Sequence, residues 1–338
     1  MGKKDDMRAA LERRQPRGGV PLWELGFHCW DQVSGRHAVL GREFEALTPR
    51  EQQRALEANA EIMARVCEEL HFAALRVPGG YWEVAPGQPA YLWLPEPARW
   101  RQVEALRSAV GDDLMLIDGS GGVIAPPSKG FVEFCYKLFD APEEIDEMAR
   151  RTLAAGLDAA RRMRDLGIEA VVTASDIANN HGPFFNPQQM QRFVLPYLRE
   201  WAERVREMGL HSIMHTDGDL NPCLEDIASS GIDALQAIDP VAGMDIADVK
   251  RRVGGRICLC GNVDCGLLLL GPPEKVYEQA RRILQACKPG GAFVLGASNA
   301  VVQETPIENY LEVIRAWRDH GQYGPAPAGD KEDGACPC

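Results

Sequence analysis

Apolar residues along the chain fall into eight short runs, which alternate with longer stretches of helical periodicity. Most runs are apolar at consecutive positions and rich in Val, Ile, Leu and Ala. This pattern is typical of parallel strands that are buried on both faces. We predict strands over 20–26, 72–77, 114–117, 169–174, 210–214, 234–238, 256–261 and 292–296.

The stretches between the strands carry helix start signals and amphipathic spacing. Thr48 and Glu51 enclose a capping box with Pro at the first helical position. Asn186 precedes a second such Pro, and Thr305 is expected to cap the last helix. We predict helices over 49–70, 98–110, 131–139, 142–166, 187–208, 220–230, 245–253, 273–287 and 306–320.

The alternation of strands and helices favours a single closed (β/α)8 barrel, the TIM-type α/β fold. An open doubly wound sheet also alternates, but it usually has a Gly-x-Gly-x-x-Gly turn after its first strand, and none stands here. We predict a short N-terminal helix and linker over 1–19, in which Met7 and Leu11 are apolar. The barrel then covers 20–320, and a flexible tail rich in Pro and Gly covers 321–338.

Polar residues stand where the predicted strands end, which in a barrel is the side of the active site. His215 and Asp217 are two residues apart, so they point to the same face at the end of one strand. The alternative is that the His is hydrogen-bonded to a turn Asp, because Asp and Asn are also common turn and cap residues. The polar strand-end residues are Asp31, Asp118, Asp176, His215, Asp217, Asn262, Asn299 and, at the two positions most typical of turns, Asp239 and Asp264.

Composition narrows the classes of function. The 338 residues are 45% hydrophobic, enough for a large core, and the net charge of -12 without a long basic run argues against a nucleic-acid surface. No stretch approaches the ~18 to 20 apolar residues of a membrane span. The N-terminus has no apolar run of a signal peptide, so we expect a cytoplasmic protein whose ten cysteines are free thiols.

Loops at the predicted barrel mouth carry more aromatic rings than the scattered singles expected of a surface. These rings can line an apolar pocket or form a homodimer interface, and the sequence leaves both open. Cys258 and Cys260 share one face of a predicted strand and are interpreted first as small core residues, with metal binding as the alternative. The aromatic loop residues are Phe27, Trp30, Tyr81, Trp82, Tyr91, Trp93, Phe184 and Phe185.

Five motifs are similar to those of one barrel family. They are Met7–Leu11, Val20–Pro21, Phe193–Leu198, Gly261–Asp264 and Thr305–Asn309. Together they resemble the uroporphyrinogen decarboxylase superfamily over about residues 7 to 318. That superfamily includes the porphyrin decarboxylases and the corrinoid-linked methyltransferases, such as methylcobalamin:coenzyme M methyltransferase.

The resemblance to the decarboxylase branch does not extend to its site. Those enzymes carry an Arg-rich segment after the first strand, which pairs with the carboxylates of the substrate. Here the corresponding segment, 24–31, contains no Arg, and Val77 and Pro78 stand where the catalytic Asp is expected at the end of the second strand. Because a substrate with many carboxylates needs cationic partners, we predict no decarboxylation of uroporphyrinogen.

The methyltransferase branch implies zinc held by a His-x-Cys pair and a later Cys. His215 matches the His, whereas Asp217 replaces the first Cys and Asn299 falls at the second. The thiolate site is therefore not intact, but zinc also accepts His nitrogen and Asp oxygen. His215 and Asp217 remain candidate metal ligands, and the rim also offers Glu24, His28, Cys29 and His181.

The resemblance therefore implies a corrinoid-linked methyltransferase. A methyl group would pass from a small methylated molecule, plausibly a methoxyaromatic, to the Co(I) corrinoid of a separate carrier protein. Such a transfer needs an in-line methyl group and an acid or Lewis acid on the leaving oxygen. We assign that role to His215, Asp217 and Asp176, and substrate binding to His28, Trp30, Tyr81, Trp82, Asn179, His181, Asn262 and Asn299.

Two other functions remain open at this point. One is a decarboxylase or other lyase that acts on a smaller acid. The other is a non-catalytic protein that binds a tetrapyrrole or a corrinoid.

Overall fold

The computed structural model describes residues 2–78 and 94–324 and, between them, the backbone of two short strands. In chain order the strands are β1 Gly26–Phe27, β2 Ala74–Arg76, β3 Glu83–Ala85, β4 Gln88–Pro89, β5 Met115–Gly119, β6 Ala170–Ala174, β7 Ala178–Asn179, β8 Gly182–Pro183, β9 His211–Thr216, β10 Ala234–Ala237, β11 Cys258–Val263, β12 Phe293–Ala297 and β13 Ala300–Val301.

Helices follow most of these strands. They are α1 Lys3–Leu11, α2 Trp30–Ser34, α3 Gly41–Glu45, α4 Pro49–Glu69, α5 Ala98–Val110, α6 Phe131–Asp140, α7 Pro142–Asp165, α8 Pro187–Gln189, α9 Leu195–Glu207, α10 Leu224–Ala228, α11 Ile246–Val253, α12 Cys265–Leu270, α13 Pro273–Cys287 and α14 Ile307–His320. No described helix is both long and apolar enough to cross a membrane. The predicted tail beyond residue 324 lies outside the described residues.

Seven parallel strands form the main sheet in the order β2-β5-β6-β9-β10-β11-β12. The segment of the first predicted strand closes this sheet, because Leu22 makes parallel bridges both to Phe72, near β2, and to Leu295 in β12. The Trp23 amide donates to the Leu295 carbonyl at 3.1 Å, and the Ala73 amide donates to the Leu22 carbonyl at 2.8 Å. The predicted barrel class is therefore confirmed.

The first predicted strand, 20–26, is not a regular strand over that length. Its ladder is reduced to the Leu22 bridges and to the short β1, which pairs with β13. Pro21 explains part of this irregularity, since proline has no amide hydrogen to donate to a neighbouring strand.

Two separate cores surround the strands. The larger core lies between the sheet and the helices. The smaller one fills the barrel interior, and Met7 and Leu11 of α1 join it with fully buried side chains. Cys258 and Cys260 belong to this interior core as free thiols, so their prediction as core residues is confirmed. The other interior residues are Ala10, Trp23, Leu25, Ala73, Ala74, Met115, Ile117, Ala170, Val172, Ile213, Ala234 and Val294.

Closure of the barrel depends on a close approach between the first segment and β12. A Cβ atom at Gly296 would lie 2.1 Å from the Trp23 carbonyl oxygen, so only glycine fits there. Glu24 accepts a hydrogen bond from the Ala297 amide at 2.9 Å and another from the Tyr310 hydroxyl at 2.7 Å. Both carboxyl oxygens of Glu24 are thus engaged in closure, which corrects its assignment as a rim metal ligand.

Helix starts were predicted more accurately than helix interiors. The capping box at Thr48 and the helix cap at Asn186 are confirmed, and Asn186 also forms a box with Gln189. The helix predicted over 187–208 is interrupted by a π-helical turn, Met190–Val194, just before Pro196, which cannot donate the next helical hydrogen bond.

Two other predicted helix ends are wrong. The helix predicted over 220–230 spans only Leu224–Ala228, because Pro222 disfavours helical geometry in the residue before it. Thr305 is buried and does not cap α14, which has no side-chain cap.

The close approach at Gly296 yields a stability prediction. Gly296→Ala should lower the free energy of unfolding by roughly 2 kcal/mol or more, because the new methyl group meets a backbone oxygen that closure holds in place. Urea unfolding measures this change. Gly255→Ala is the control, since nothing lies within 4 Å of the place its methyl group would take, and it should leave stability within about 1 kcal/mol. Equal stability of the two variants would contradict the prediction.

Glu24 yields a prediction about pH. Burial raises the pKa of Glu24 to about 8 from its ordinary 4.5, although its two hydrogen bonds oppose the shift. The folded protein therefore keeps a proton that the unfolded chain releases, so stability should fall as the pH rises from 4.5 to 8. The fall is at most about 1.4 kcal/mol per pH unit.

Denaturant unfolding across this pH range should show that Glu24→Gln loses less stability than the wild type. Glu274→Gln, on the exposed face of α13, is the matched control and should follow the wild-type curve. Parallel curves for the wild type and Glu24→Gln would exclude Glu24 as the source of the pH dependence.

Candidate active site

One layer of inward-pointing residues lies at the carboxyl end of the barrel. Side chains alternate along a strand, so the interior positions Ile213 and Ala234 are followed on the same face by His215 and Gln236. The same counting on the other strands places a mixture of polar and very small residues in this layer. Its members are Arg76, Gly119, Ala174, His215, Gln236, Asn262 and Gly296.

Gln236 fixes the orientation of the His215 ring. The Nδ1 atom of His215 lies 2.5 Å from Oε1 of Gln236. The amide nitrogen of Gln236 donates to the carbonyls of Ala297 and Ser298, each at 3.2 Å, so its oxygen must face the ring. Nδ1 of His215 therefore donates this hydrogen bond, and Nε2 is the ring nitrogen that faces the neighbouring carboxylates.

Two carboxylates lie around Nε2 of His215. Nε2 of His215 is 3.7 Å from Oδ1 of Asp176 and 4.0 Å from Oδ2 of Asp217, too far for a direct hydrogen bond. The alternative that His215 is simply hydrogen-bonded to a turn Asp is therefore wrong, since its partner is Gln236. Sequence reasoning missed Gln236, although a lone polar residue inside an apolar strand was a usable signal.

Asn299 and the Asp176 carboxylate hold Asp217 in place. Asn299 donates from Nδ2 to Oδ2 of Asp217 at 2.5 Å, and its own oxygen accepts the Ala300 amide at 2.8 Å. The Asp217 amide donates to Oδ1 of Asp176 at 3.1 Å. Burial raises the pKa of Asp217; the nearby His215 opposes this shift, and the charges of Asp176 and Asp239 add to it.

A cavity of about 420 Å³ opens beside the two carboxylates. Asn179, one of the predicted substrate-binding residues, lines it together with Asp176 and Asp217. Phe184 lines it as well and meets Phe131 edge to face, with ring centroids 5.5 Å apart. The cavity thus has a charged wall and an aromatic wall, as a pocket for a small aromatic molecule requires.

The remaining predicted substrate contacts near this end have other neighbours. Asn262 is buried and donates to the Ile238 carbonyl at 2.7 Å. His181 is exposed, and its amide donates to the Asn179 side chain at 2.8 Å. Asp264 caps the N-terminus of α12, which agrees with its interpretation as a turn or cap residue. The roles of Asn262 and His181 in substrate binding stay predictions.

The structure does not bring His28 and Trp30 to the cavity beside Asp176. They line a separate cavity of about 90 Å³ together with His37. Trp30 is buried and packs edge to face on Phe27, with centroids 5.1 Å apart. Burial, aided by the charge of Arg76, lowers the pKa of His28 to about 4. Their role in substrate binding stays a prediction, as does that of the predicted contacts Tyr81 and Trp82, which lie outside the described residues.

The backbone next to Gln236 is strained. Ala237 and Ile238 have positive φ angles, of 100° and 47°. Residues other than glycine rarely adopt this backbone region, and it is costly for a β-branched residue such as Ile238. Hydrogen bonds hold this turn, since Asn262 binds the Ile238 carbonyl and the Gly218 amide binds the Asp239 carboxylate. Such strain is typical of functional sites, and nothing in the sequence predicted it.

The donor set at the mouth fits a zinc ion. Among the described residues, Asp176, His215 and Asp217 form the group whose ligand atoms all lie within 4.8 Å of one another. An imidazole nitrogen and carboxylate oxygens are accepted zinc ligands. A His that donates its other ring N–H to a fixed acceptor, as His215 does to Gln236, is the usual arrangement in metal sites.

Proteins with sequences similar to this chain include uroporphyrinogen decarboxylases. That of Azoarcus sp. (strain BH72) is 29% identical over 246 residues, which cover 68% of this chain and 67% of the relative. That of Anaeromyxobacter dehalogenans (strain 2CP-C) is 26% identical over 221 residues, which cover 63% of this chain and 61% of the relative. The match thus leaves a third or more of each relative unaligned.

A solved structure, described as a methyltransferase from Methanosarcina mazei, is similar over almost the whole chain. It superposes with a TM-score of 0.66 at 21% identity, covering 94% of this chain and 99% of its own. At this identity the likeness shows a common fold.

The family model for uroporphyrinogen decarboxylase (URO-D) matches residues 115–320, which include His215 and both of its neighbouring carboxylates. Because this match spans more than half of the 338 residues, the chain belongs to the uroporphyrinogen decarboxylase family.

Proposed function

We propose that this protein is a corrinoid-linked methyltransferase of the uroporphyrinogen decarboxylase family. It moves a methyl group between a small methylated substrate, of methoxyaromatic type, and the corrinoid of a carrier protein. The observation that carries this proposal is the placement of Nε2 of His215 between Asp176 and Asp217 at the barrel mouth. The overall similarity to a methyltransferase supports the same branch.

The chemistry requires help at the oxygen that loses the methyl group, because an unassisted alkoxide or phenoxide leaves poorly. Without a metal ion, Asp217, whose pKa is raised by burial, would donate a proton to that oxygen. Asn299 and the carboxylate of Asp176 hold Asp217 in position. Phe131 and Phe184 provide an apolar surface on which an aromatic ring can stack.

The proposal involves two further groups, a zinc ion and a corrinoid. Asp176, His215 and Asp217 would hold a zinc ion, which when bound supplies Lewis acidity at the substrate oxygen. The corrinoid, when bound through its carrier, supplies the methyl acceptor. The protein's own contribution is to orient the substrate and to exclude water.

A decarboxylase or lyase acting on a smaller acid is the second candidate. It is favoured by the decarboxylase relatives and by the inward-pointing Arg76, which can bind a carboxylate. Uroporphyrinogen itself is disfavoured, because segment 24–31 has no Arg and Val77 and Pro78 follow β2. Turnover of uroporphyrinogen to coproporphyrinogen by the pure protein would reverse this choice.

The metal site yields a prediction about zinc affinity. Titration calorimetry of metal-free protein with Zn²⁺ should give one site, and Asp176→Asn and Asp217→Asn should each weaken binding by about tenfold or more, since each removes a charged oxygen donor. Asp264→Asn is the control, because this Asp caps α12 and Asn also caps helices. Equal affinity in all four proteins would exclude this group as the metal site.

His215 yields a prediction that separates function from structure. In His215→Asn the side-chain amide can still donate to Gln236, while Nε2 is lost. Methyl transfer from a panel of methoxyaromatics to cob(I)alamin should fall about a hundredfold or more, with the melting temperature unchanged. His215→Ala should lose activity and also stability, by ~1 to 3 kcal/mol, since it leaves Gln236 Oε1 without its partner.

His211→Asn is the matched control for this experiment. His211 lies at the other end of β9 and approaches Asp233, so its replacement should leave methyl transfer unchanged. Wild-type protein that transfers no methyl group from any compound of the panel, or a fully active His215→Asn, would contradict the proposed function.

A further inference from the structure

Arg76 is the cation in the inward layer that also contains His215. It ends β2, two residues after the interior residue Ala74, and therefore points into the barrel. Its Nη1 donates to the Leu25 carbonyl at 3.0 Å. Its Nη2 lies over Gly119, and a Cβ atom built on that glycine would be 3.4 Å from Nη2. The guanidinium group thus lies across the ends of the first segment, β2 and β5.

Asp118, the acidic group whose charge acts on Arg76, is already engaged. Oδ1 of Asp118 accepts hydrogen bonds from Nη2 of Arg99 at 2.5 Å and from the Gly119 amide at 2.7 Å. Oδ2 of Asp118 is buried and has no hydrogen-bond partner among the described residues. Asp118 therefore forms its direct ion pair with Arg99, and Arg76 is attracted to it without a hydrogen bond.

Among the described residues, the other titratable groups around Arg76 do not neutralise it. Glu24 keeps its proton because burial raises its pKa to about 8, and it is bound to Tyr310. Burial keeps His28 neutral, with a pKa of about 4. Two guanidinium groups thus share one carboxylate in the described part of this cluster. Excess buried charge of this kind is costly unless a counter-charge is bound.

The charges of the mouth are separated into two sides. Arg76 lies in β2, and Arg99 of α5 pairs with Asp118 of β5, whereas Asp176, His215 and Asp217 lie at the ends of β6 and β9. The residues between them in the inward layer, Gly119 and Ala174, are small. A molecule that spans the mouth therefore meets a positive group at one end and the acidic group at the other.

We infer that Arg76 binds the carboxylate of the substrate, so that the substrate is a small carboxylic acid with its reacting group at His215. The planar fork of N–H donors in a guanidinium matches the two oxygens of a carboxylate. The position of the reacting group rests on the proposed function, but the carboxylate contact does not. This arginine comes from strand β2. Segment 24–31, where the porphyrin decarboxylases carry their arginines, contains none here.

Equilibrium binding without any corrinoid tests the inference. The probes are 2-, 3- and 4-methoxybenzoate and the corresponding methoxybenzamides, which have nearly the same shape without the charge. Calorimetry should show at least one acid binding tenfold or more tighter than its amide. Arg76→Gln should abolish this preference, and Arg76→Lys should retain part of it, since it keeps the charge but loses the fork.

Arg151→Gln is the matched control, because its side chain is 73% exposed on α7, and it should keep the full preference. Circular dichroism and melting temperature check that the Arg76 variants are folded; if Arg76→Gln does not fold, Arg76→Lys decides by its reduced preference. Equal binding of acid and amide to the wild type, no binding of any acid, or an unchanged preference in the Arg76 variants would overturn the inference.

The outcomes also separate this inference from the proposed function. Preferential binding of an acid without methyl transfer would leave the role of Arg76 intact and reject the methyltransferase. Methyl transfer from neutral ethers and from acids with equal kcat/KM would support the methyltransferase and overturn the role of Arg76.

Discussion

The closure of the barrel by one irregular segment is the constraint on which the rest of this structure depends. Leu22 pairs with both edges of the seven-stranded sheet, and Gly296 allows the backbones to approach closely enough for those bonds to form. Glu24 then joins β12 to α14 through Ala297 and Tyr310. Without closure the strand ends would spread along an open edge, and groups from β2, β6 and β9 would not face one another.

Closure also turns the strand ends into a site with a defined side-chain geometry. Gln236 is held by two carbonyls of the β12 end and in turn orients the His215 ring. Nε2 of that ring faces two carboxylates, and one of them is held by Asn299. The strained turn after Gln236 belongs to the same network through Asn262. The geometry of the reactive group thus depends on residues that need not touch a substrate.

If Arg76 binds a carboxylate as inferred above, the opposed charges at the mouth would give this chain a different acid from that of its relatives. The relatives with uroporphyrinogen decarboxylase names share the barrel sequence, but this chain lacks arginine in segment 24–31. Its partly buried positive charge is instead at Arg76 and Arg99, within β2 and α5. A guanidinium anchored in a strand can hold one carboxylate in a fixed place, whereas a loop rich in arginine can adapt to several. This difference favours a smaller substrate.

Local sequence patterns were enough to predict the barrel class, most element positions, the helix caps at Thr48 and Asn186, and the convergence of His215, Asp176, Asp217 and Asn299. These follow from local rules, because apolar runs, capping residues and strand parity are encoded by neighbours in the chain. The partner of His215, the engagement of Glu24, the place of Trp30 in the core and the charge excess at Arg76 were decided only by the tertiary structure. Each of these depends on contacts between residues far apart in sequence, such as Glu24 with Tyr310 and Arg99 with Asp118, and burial and hydrogen-bond pairing across such distances leave no periodic signal in the chain.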